Sequence, residues 1–505
     1  MNPSLRNGII IAVGAIVATA GGWQIANESL LLTGALGGSL LLWLGSRATG
    51  VPIDALIGGL VIAGYLIGNR GFAQLNVPNI PLLPGEAALA VGILSATWTA
   101  AISKQLPIRR DALNLVLIAW LCFGVCRLGA DVPAHGIVAL RDFAILYYAS
   151  FFFLAQAWWE EPIKRRWIEG CLTVGFTVGA PTFLAFARWP DFFVDHFSIH
   201  GVPLIYVKSD VQGGLLVAGT FWFLHRYVAT GRPGWLLPAA LNLLGVALSN
   251  SRAALVAFAG ACVWLALYRD WRSLRPILVM GAMGLAGLFV AASLNQSDWK
   301  ESLAYRFYES VASIGDVQGA RSYDTADLAD KPDNNLFRLA WWRAVLVETW
   351  ADGRWLGLGF GYDLSGQFTR SYYFDNSDEF RARSPHNFPL TVFGRMGLVG
   401  LSILLICLGI MAARTRHAGR IAADAALPTA EFMVWVGAWG IFFSACFGVV
   451  LEGPMGASIF WTLLGLANAA ALDRSTSESD RTIGAGPDLP RAPDKTELPR
   501  LRTAP

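Results

Sequence analysis

The chain has 505 residues, 54% of them hydrophobic and only 15% charged, against roughly 25% charged residues in an ordinary soluble domain. That balance excludes a free-standing soluble enzyme and points to lipid as the solvent. The formal net charge of +3 names no partner by itself, and no nucleic acid is expected.

Taken in chain order, apolar runs long enough for helices that cross about 30 Å of hydrocarbon fall at about 8–26, 29–45, 53–68, 86–103, 112–127, 136–158, 167–187, 211–228, 234–248, 253–270, 274–292, 387–411, 432–450 and 454–471. The expectation is an all-α, polytopic transmembrane bundle of about fourteen spans, with twelve or thirteen as alternatives because some runs are short. A β-barrel would alternate in shorter segments. The first run, preceded by Arg6 and ending Ala18-Thr19-Ala20, imitates a cleaved leader; with so many runs behind it, an uncleaved first helix is expected.

Short-loop Lys and Arg set the orientation. With the N-terminus in the cytoplasm, the inside loops hold Arg47, Lys104, Arg109, Arg110, Lys164, Arg165, Arg166, Arg226, Arg232, Arg269, Arg272, Arg275, Arg414, Arg416 and Arg420, and the outside ones only Arg70, Arg127, Arg188, Lys208 and Arg252. Both termini are then cytoplasmic. The expected organisation is a first helical block at 1–292, a large periplasmic loop at 293–386, a second block at 387–472 and a disordered cytoplasmic tail at 473–505, polar and rich in Pro and Ser. The six cysteines all fall in apolar runs, so neither a disulfide framework nor a cysteine zinc site is expected in the loop.

Within that loop, Asn334 to Trp350 reads as a helix capped by Asn334 or Asn335, too apolar to stand free in water. One face holds Leu336, Leu339, Leu346, Val347 and Trp350, and the helix is expected against the bundle or the membrane interface. Arg338 and Arg343 are about 140° apart around it and do not face one ligand directly. Asp324, Asp327, Asp330 and Asp333 read as a solvated face.

Ionisable groups near the outer ends of spans are costly and mark cavities or partners. Arg141 and Asp142 are adjacent opposite charges that either neutralise each other or line a cavity. Arg252, in the turn Ser249-Asn250-Ser251-Arg252, has the planar fork suited to phosphate, or to an ordinary lipid headgroup. His386, where the loop re-enters the membrane, can exchange a proton near neutral pH, and Asn387 beside it can orient it or a sugar hydroxyl. His135, His196, His200, Lys208 and Asp210 read as solvated or interfacial. There is no phosphate-cradling G-x-x-x-x-G-K-[ST] loop and no Asp-x-Asp triplet, so neither ATP hydrolysis nor a metal-held nucleotide sugar is supported.

Four pieces, in order, resemble the O-antigen ligase and O-antigen polymerase superfamily: Ser251-Arg252-Ala253-Ala254, Arg338-Leu339-Ala340-Trp341-Trp342, Gly357-Leu358-Gly359-Phe360-Gly361, and His386-Asn387 followed by Gly394 and Gly397. The resemblance covers roughly 240–405. It implies a glycosyltransferase at the periplasmic face of the bacterial inner membrane, moving a glycan from an undecaprenyl-diphosphate carrier to an acceptor hydroxyl by an inverting route without cofactor or metal. It implies that Arg252 and Arg338 hold the diphosphate and that His386 orients or deprotonates the acceptor, with Arg141, Arg343, Asn387 and Trp342 as substrate-binding candidates. The acceptor is lipid A core in a ligase, and a growing glycan or a protein in the related polymerases and oligosaccharyltransferases. A secondary transporter or lipid flippase is the competing class, and would place its charges near mid-membrane in helices broken at matching points of two halves.

Overall fold

A computed structural model describes residues 30–75, 82–104, 108–199, 201–249, 251–268, 271–294, 302–316, 331–366, 368, 383–424 and 430–484. The expected first span, Asp324, Asp327 and Asp330, and the end of the tail lie outside these residues. The helices are α1 (Leu30–Thr49), α2 (Ile53–Ala73), α3 (Pro84–Ser103), α4 (Ala112–His135), α5 (Ile137–Asp142), α6 (Ala144–Tyr147), α7 (Ser150–Glu160), α8 (Pro162–Arg188), α9 (Pro190–His196), α10 (Ser209–Thr230), α11 (Leu236–Leu248), α12 (Arg252–Leu267), α13 (Trp271–Leu294), α14 (Leu303–Gly315), α15 (Lys331–Asp352), α16 (Phe388–Asp424), α17 (Ala430–Ala445) and α18 (Pro454–Gly484). Among the described residues the only sheet is the two-stranded pair Ser198–Ile199 and Val202–Pro203.

Each of the other thirteen predicted runs overlaps helix, and the protein is an all-α membrane protein. Among the described residues, length and composition nevertheless qualify six helices to cross a membrane, or seven if Ile137–Tyr147 and Ser150–Glu160, bent by 43°, make one broken span. The fourteen expected crossings are thus not confirmed by helix length and composition. Shorter apolar helices such as Arg252–Leu267 reach only about 24 Å at 1.5 Å per residue, short of the hydrocarbon thickness. The run at 432–450 also stops being helical at Ala445, and residues 446–453 form an irregular link before α18. At the other end α18 continues through Arg474 into the expected tail. Its polar turns are tied down there, Arg474 to Glu431 at 2.6 Å and Asp473 to Arg109 at 2.8 Å.

The bundle centres on α10, whose residues from Val211 to Leu224 are all buried, as expected of a helix that is apolar on every face. Small residues let its neighbours approach: a side chain at Gly214 would meet Ser444 of α17, and one at Gly440 of α17 would meet Val217. Helix α15 docks on the start of α16, burying Trp341 and Val345 with Leu364, Phe368, Leu390 and Phe393. The contact face is not the one that looked most continuous in sequence, because Leu336, Leu339, Leu346, Val347 and Trp350 are exposed. The helix also starts at Lys331, ahead of the expected Asn caps.

Two helices are broken, and each break is repaired by a loop. Helix α16 breaks at Gly397, φ 64° and ψ −160°, which leaves backbone groups on either side without their intrahelical partners. The stretch 353–361 fills the gap: Leu358 N–H donates to Gly394 O at 2.7 Å, Gly359 N–H to Arg395 O at 3.3 Å, and Leu398 N–H to Arg354 O at 2.9 Å. A β-carbon at Gly357 would lie 2.2 Å from the Arg395 carbonyl carbon, so glycine there is a matter of space as well as of its φ of 78°. Helix α2 breaks at Asn69, φ 51°, and is bridged to the segment before α10: Tyr206 N–H donates to Gly68 O at 3.2 Å, and Lys208 N–H to Asn69 Oδ1 at 3.1 Å. Irregular backbone of this kind survives in a bundle where protein satisfies it or where it lines a cavity. Here it does both.

Candidate active site between two clefts

His386 sits in a turn that α15 and the start of α16 hold from several sides. Trp342 Nε1 donates to Pro385 O at 2.7 Å, and the Trp341 ring meets the imidazole edge-on at 5.9 Å. Asn387 Oδ1 accepts from Leu390 N–H at 3.1 Å, which caps α16. His386 itself has φ 55°, a conformation costing a non-glycine residue about 1–3 kcal/mol that persists only where its surroundings over-determine it. Burial, with the Arg338 and Lys208 charges, lowers the imidazole pKa from 6.5 to about 4, against the opposing pull of Asp210. The ring is therefore neutral at pH 7 and can accept a proton.

On one side of His386 opens a cavity of about 1060 Å³. Five cations line it, Arg70, Arg141, Lys208, Arg383 and Arg395, against two carboxylates, Asp142 and Glu452. The broken helices supply two of these cations, Arg70 after the α2 break and Arg395 before the α16 break, and a third, Lys208, is hydrogen-bonded through its N–H to Asn69 at the α2 break. Arg383 and the almost wholly buried Arg395 are both paired with Asp142, at 3.3 Å and 2.9 Å. Asp142 also accepts from Gly361 N–H at 2.9 Å. Arg141 and Asp142 thus do not neutralise each other. Asp142 is spent on the loop and on Arg395, and exposed Arg141 is left to line the cavity.

The second opening is a cleft of about 170 Å³ lined by Arg252, Arg338, Trp342, Ser313 and Phe447 among others. Ser251 Oγ accepts from Ala254 N–H at 3.3 Å and caps α12, which fixes Arg252 as that helix's first residue. Arg338 reaches the cleft from α15, where its Nη1 donates to Phe447 O at 2.9 Å. Burial lowers its pKa, opposed by Asp210, so this cation has lost water contacts an anion would replace. Arg338 also acts on His386 electrostatically, which links the smaller cleft to the histidine.

With this geometry in view, the family comparison is direct: residues 237–405 match the model described as O-antigen ligase. That match supports a likeness of this segment to the O-antigen ligase/polymerase superfamily. Comparison with curated proteins finds no match. The O-antigen ligase segment holds Arg252, Arg338, Arg383, His386 and Arg395, whereas Arg70, Arg141, Lys208 and Glu452 come from outside it.

The candidates named from the sequence separate in space. Arg252, Arg338 and Trp342 share the smaller cleft, while His386 and Arg141 line the larger cavity. Asn387 lies on an apolar groove formed with Trp350, Leu390 and Phe393. Arg343 is exposed and lines none of these openings. Sequence reasoning did not name Arg383, Arg395 or Glu452, counted Arg70 only among the outer-loop charges, and read Lys208 as solvated or interfacial. Arg395 carried a usable signal, as an arginine inside an otherwise apolar run; Arg70 and Arg383 carried none, because only the fold brings them to one cavity.

Proposed function

We propose that this protein transfers a glycan from an undecaprenyl-diphosphate carrier to an acceptor hydroxyl, most simply lipid A core, as an O-antigen ligase. A polymerase extending a glycan is the alternative. The observation that carries the reading is the placing of a neutral histidine in the large cavity with its charge environment set by an arginine of the smaller cleft. A cleft of about 170 Å³ suits a phosphate-sized anion, and a cavity of about 1060 Å³ has room for several sugars, in the range of ligand sites generally.

In this reading Arg252 and Arg338 bind the diphosphate and the acceptor enters the cationic cavity. The acceptor oxygen attacks the anomeric carbon from the face opposite the diphosphate while its proton passes to a His386 ring nitrogen. The carbon–oxygen bond to the carrier breaks, and its electron pair leaves on the diphosphate oxygen, where the two arginines stabilise the growing charge. Inversion follows from the single displacement, and the arginines supply the charge stabilisation that a metal would. Both termini lie in the cytoplasm and the two clefts face the periplasm of the inner membrane, in keeping with the loop charges. Carriers also break helices at their sites; here, however, the breaks at Asn69 and Gly397 serve one cavity instead of two matched halves at mid-membrane.

The test is transfer from a polyprenyl-diphosphate-linked glycan by purified protein in detergent with EDTA present. Wild type is expected to transfer, His386→Ala to bind donor without transferring, and Arg252→Lys to lose about tenfold or more, because a point charge replaces a planar fork. No transfer by wild type to lipid A core, glycan or protein acceptors overturns the proposal in favour of a carrier.

A further inference from the structure

The glutamate of the irregular link before α18 faces the same cavity as His386 and is absent from the O-antigen ligase segment. Its surroundings join it to the histidine's turn. Thr391 Oγ1 donates to Glu452 Oε1 at 2.9 Å, and the Ser384 hydroxyl also bonds the carboxylate. Ser384 Oγ lies 3.3 Å from Thr391 Oγ1 and accepts the His386 N–H at 3.3 Å. Two hydroxyls, one two residues before His386 and one in the first turn of α16, are thus gathered on one carboxylate. From α15 the turn is also held by Trp342 at Pro385 and by the Trp341 ring.

We propose that Glu452 is a positioning residue for the transfer reaction: it clamps Ser384 and Thr391 and so fixes the left-handed His386 turn at the mouth of the cavity. The inference rests on the reading of His386 as the proton acceptor, and its structural half is independent of it. A turn held at φ 55° relaxes toward ordinary backbone when a restraint is lost, and the imidazole then swings out of line with the acceptor. Glu452, Ser384 and Thr391 do not line the cleft of Arg252 and Arg338, so donor binding is expected to be spared. An amide in place of the carboxylate keeps an acceptor oxygen for Thr391 and adds a donor for Ser384.

The experiment uses full-length protein in detergent and reads backbone hydrogen exchange in peptides covering 383–391 alongside kcat and donor KM. For Glu452→Ala the expected result is exchange in those peptides faster by about tenfold or more and kcat lower by at least about tenfold, with donor KM within about twofold. Glu452→Gln is expected to restore most of both losses. Thr391→Val, which removes one arm of the clamp, is expected to move both readouts in the same direction, and decides the matter if Glu452→Ala does not fold. Unchanged exchange in Glu452→Ala or Thr391→Val overturns the clamp, and so does Glu452→Gln falling as far in kcat as alanine with normal exchange, since charge would then be what matters. If wild type transfers nothing, the exchange arm still decides the clamp while the functional reading fails separately.

Discussion

At the scale of single residues, burial and two neighbouring cations keep the His386 ring neutral while lowering its proton affinity. Its pKa in the fold is about 4 against 6.5 for the free group. Between those values the unfolded chain binds a proton that the native protein does not, so stability is lost as pH falls through that window. Unfolding of wild type in detergent, followed from pH 7 down to 4.5, is expected to show an extra loss that His386→Gln lacks, at most about 1.4 kcal/mol per pH unit. Arg338, Lys208 and Asp210 face the ring, and the anionic donor, once bound, would raise its proton affinity by offsetting the two cations. His386 stood out in the sequence because it is one of only six histidines in 505 residues and sits where an apolar run begins. Glu452 did not, because its predicted place was the edge of a span and its partners lie some sixty positions earlier.

At the scale of elements, the loop 353–361 and the break in α16 form one unit. Each satisfies the other's backbone, and buried Arg395 reinforces the join by donating to Tyr362 O at 2.7 Å and Gly359 O at 3.2 Å. Gly397 has φ 64°, and a β-carbon there would lie 2.4 Å from the Trp355 carbonyl. Gly397→Ala is expected to cost about 1–3 kcal/mol from backbone conformation alone, with the clash adding to it. The check is thermal unfolding in detergent, with faster hydrogen exchange at Leu358 and Leu398 marking the site of the loss. The glycines of 357–361 and those at 394 and 397 were visible as a pattern in the sequence. That they interlock was not, since backbone hydrogen bonds carry no side-chain signature.

At the scale of the whole molecule, the bundle gathers five cations around one cavity at one end, where Arg70, Arg141 and Lys208 join Arg383 and Arg395 of the O-antigen ligase segment. The proposed orientation makes that end periplasmic. Single cysteines placed at Asp352 and at Arg416, in a variant with the six native cysteines replaced, are expected to react with an impermeant maleimide from opposite sides, Asp352 from the periplasm of intact cells. Labelling of both from one side would invert or break the topology.

Composition and apolar periodicity alone determined that this is a helical membrane protein, because lipid leaves the backbone few other solutions. The short motifs, read in order, pointed to the O-antigen ligase/polymerase superfamily, which the match at 237–405 supports. Tertiary structure decided what no local pattern encodes: which helices are too short to cross alone, which face of α15 docks, and that Asp142 belongs to Arg395 and Arg383 instead of Arg141. It also decided that His386 stands between two openings built from segments hundreds of residues apart, since charge pairing and backbone repair depend on distance in space, and distance along the chain does not fix it.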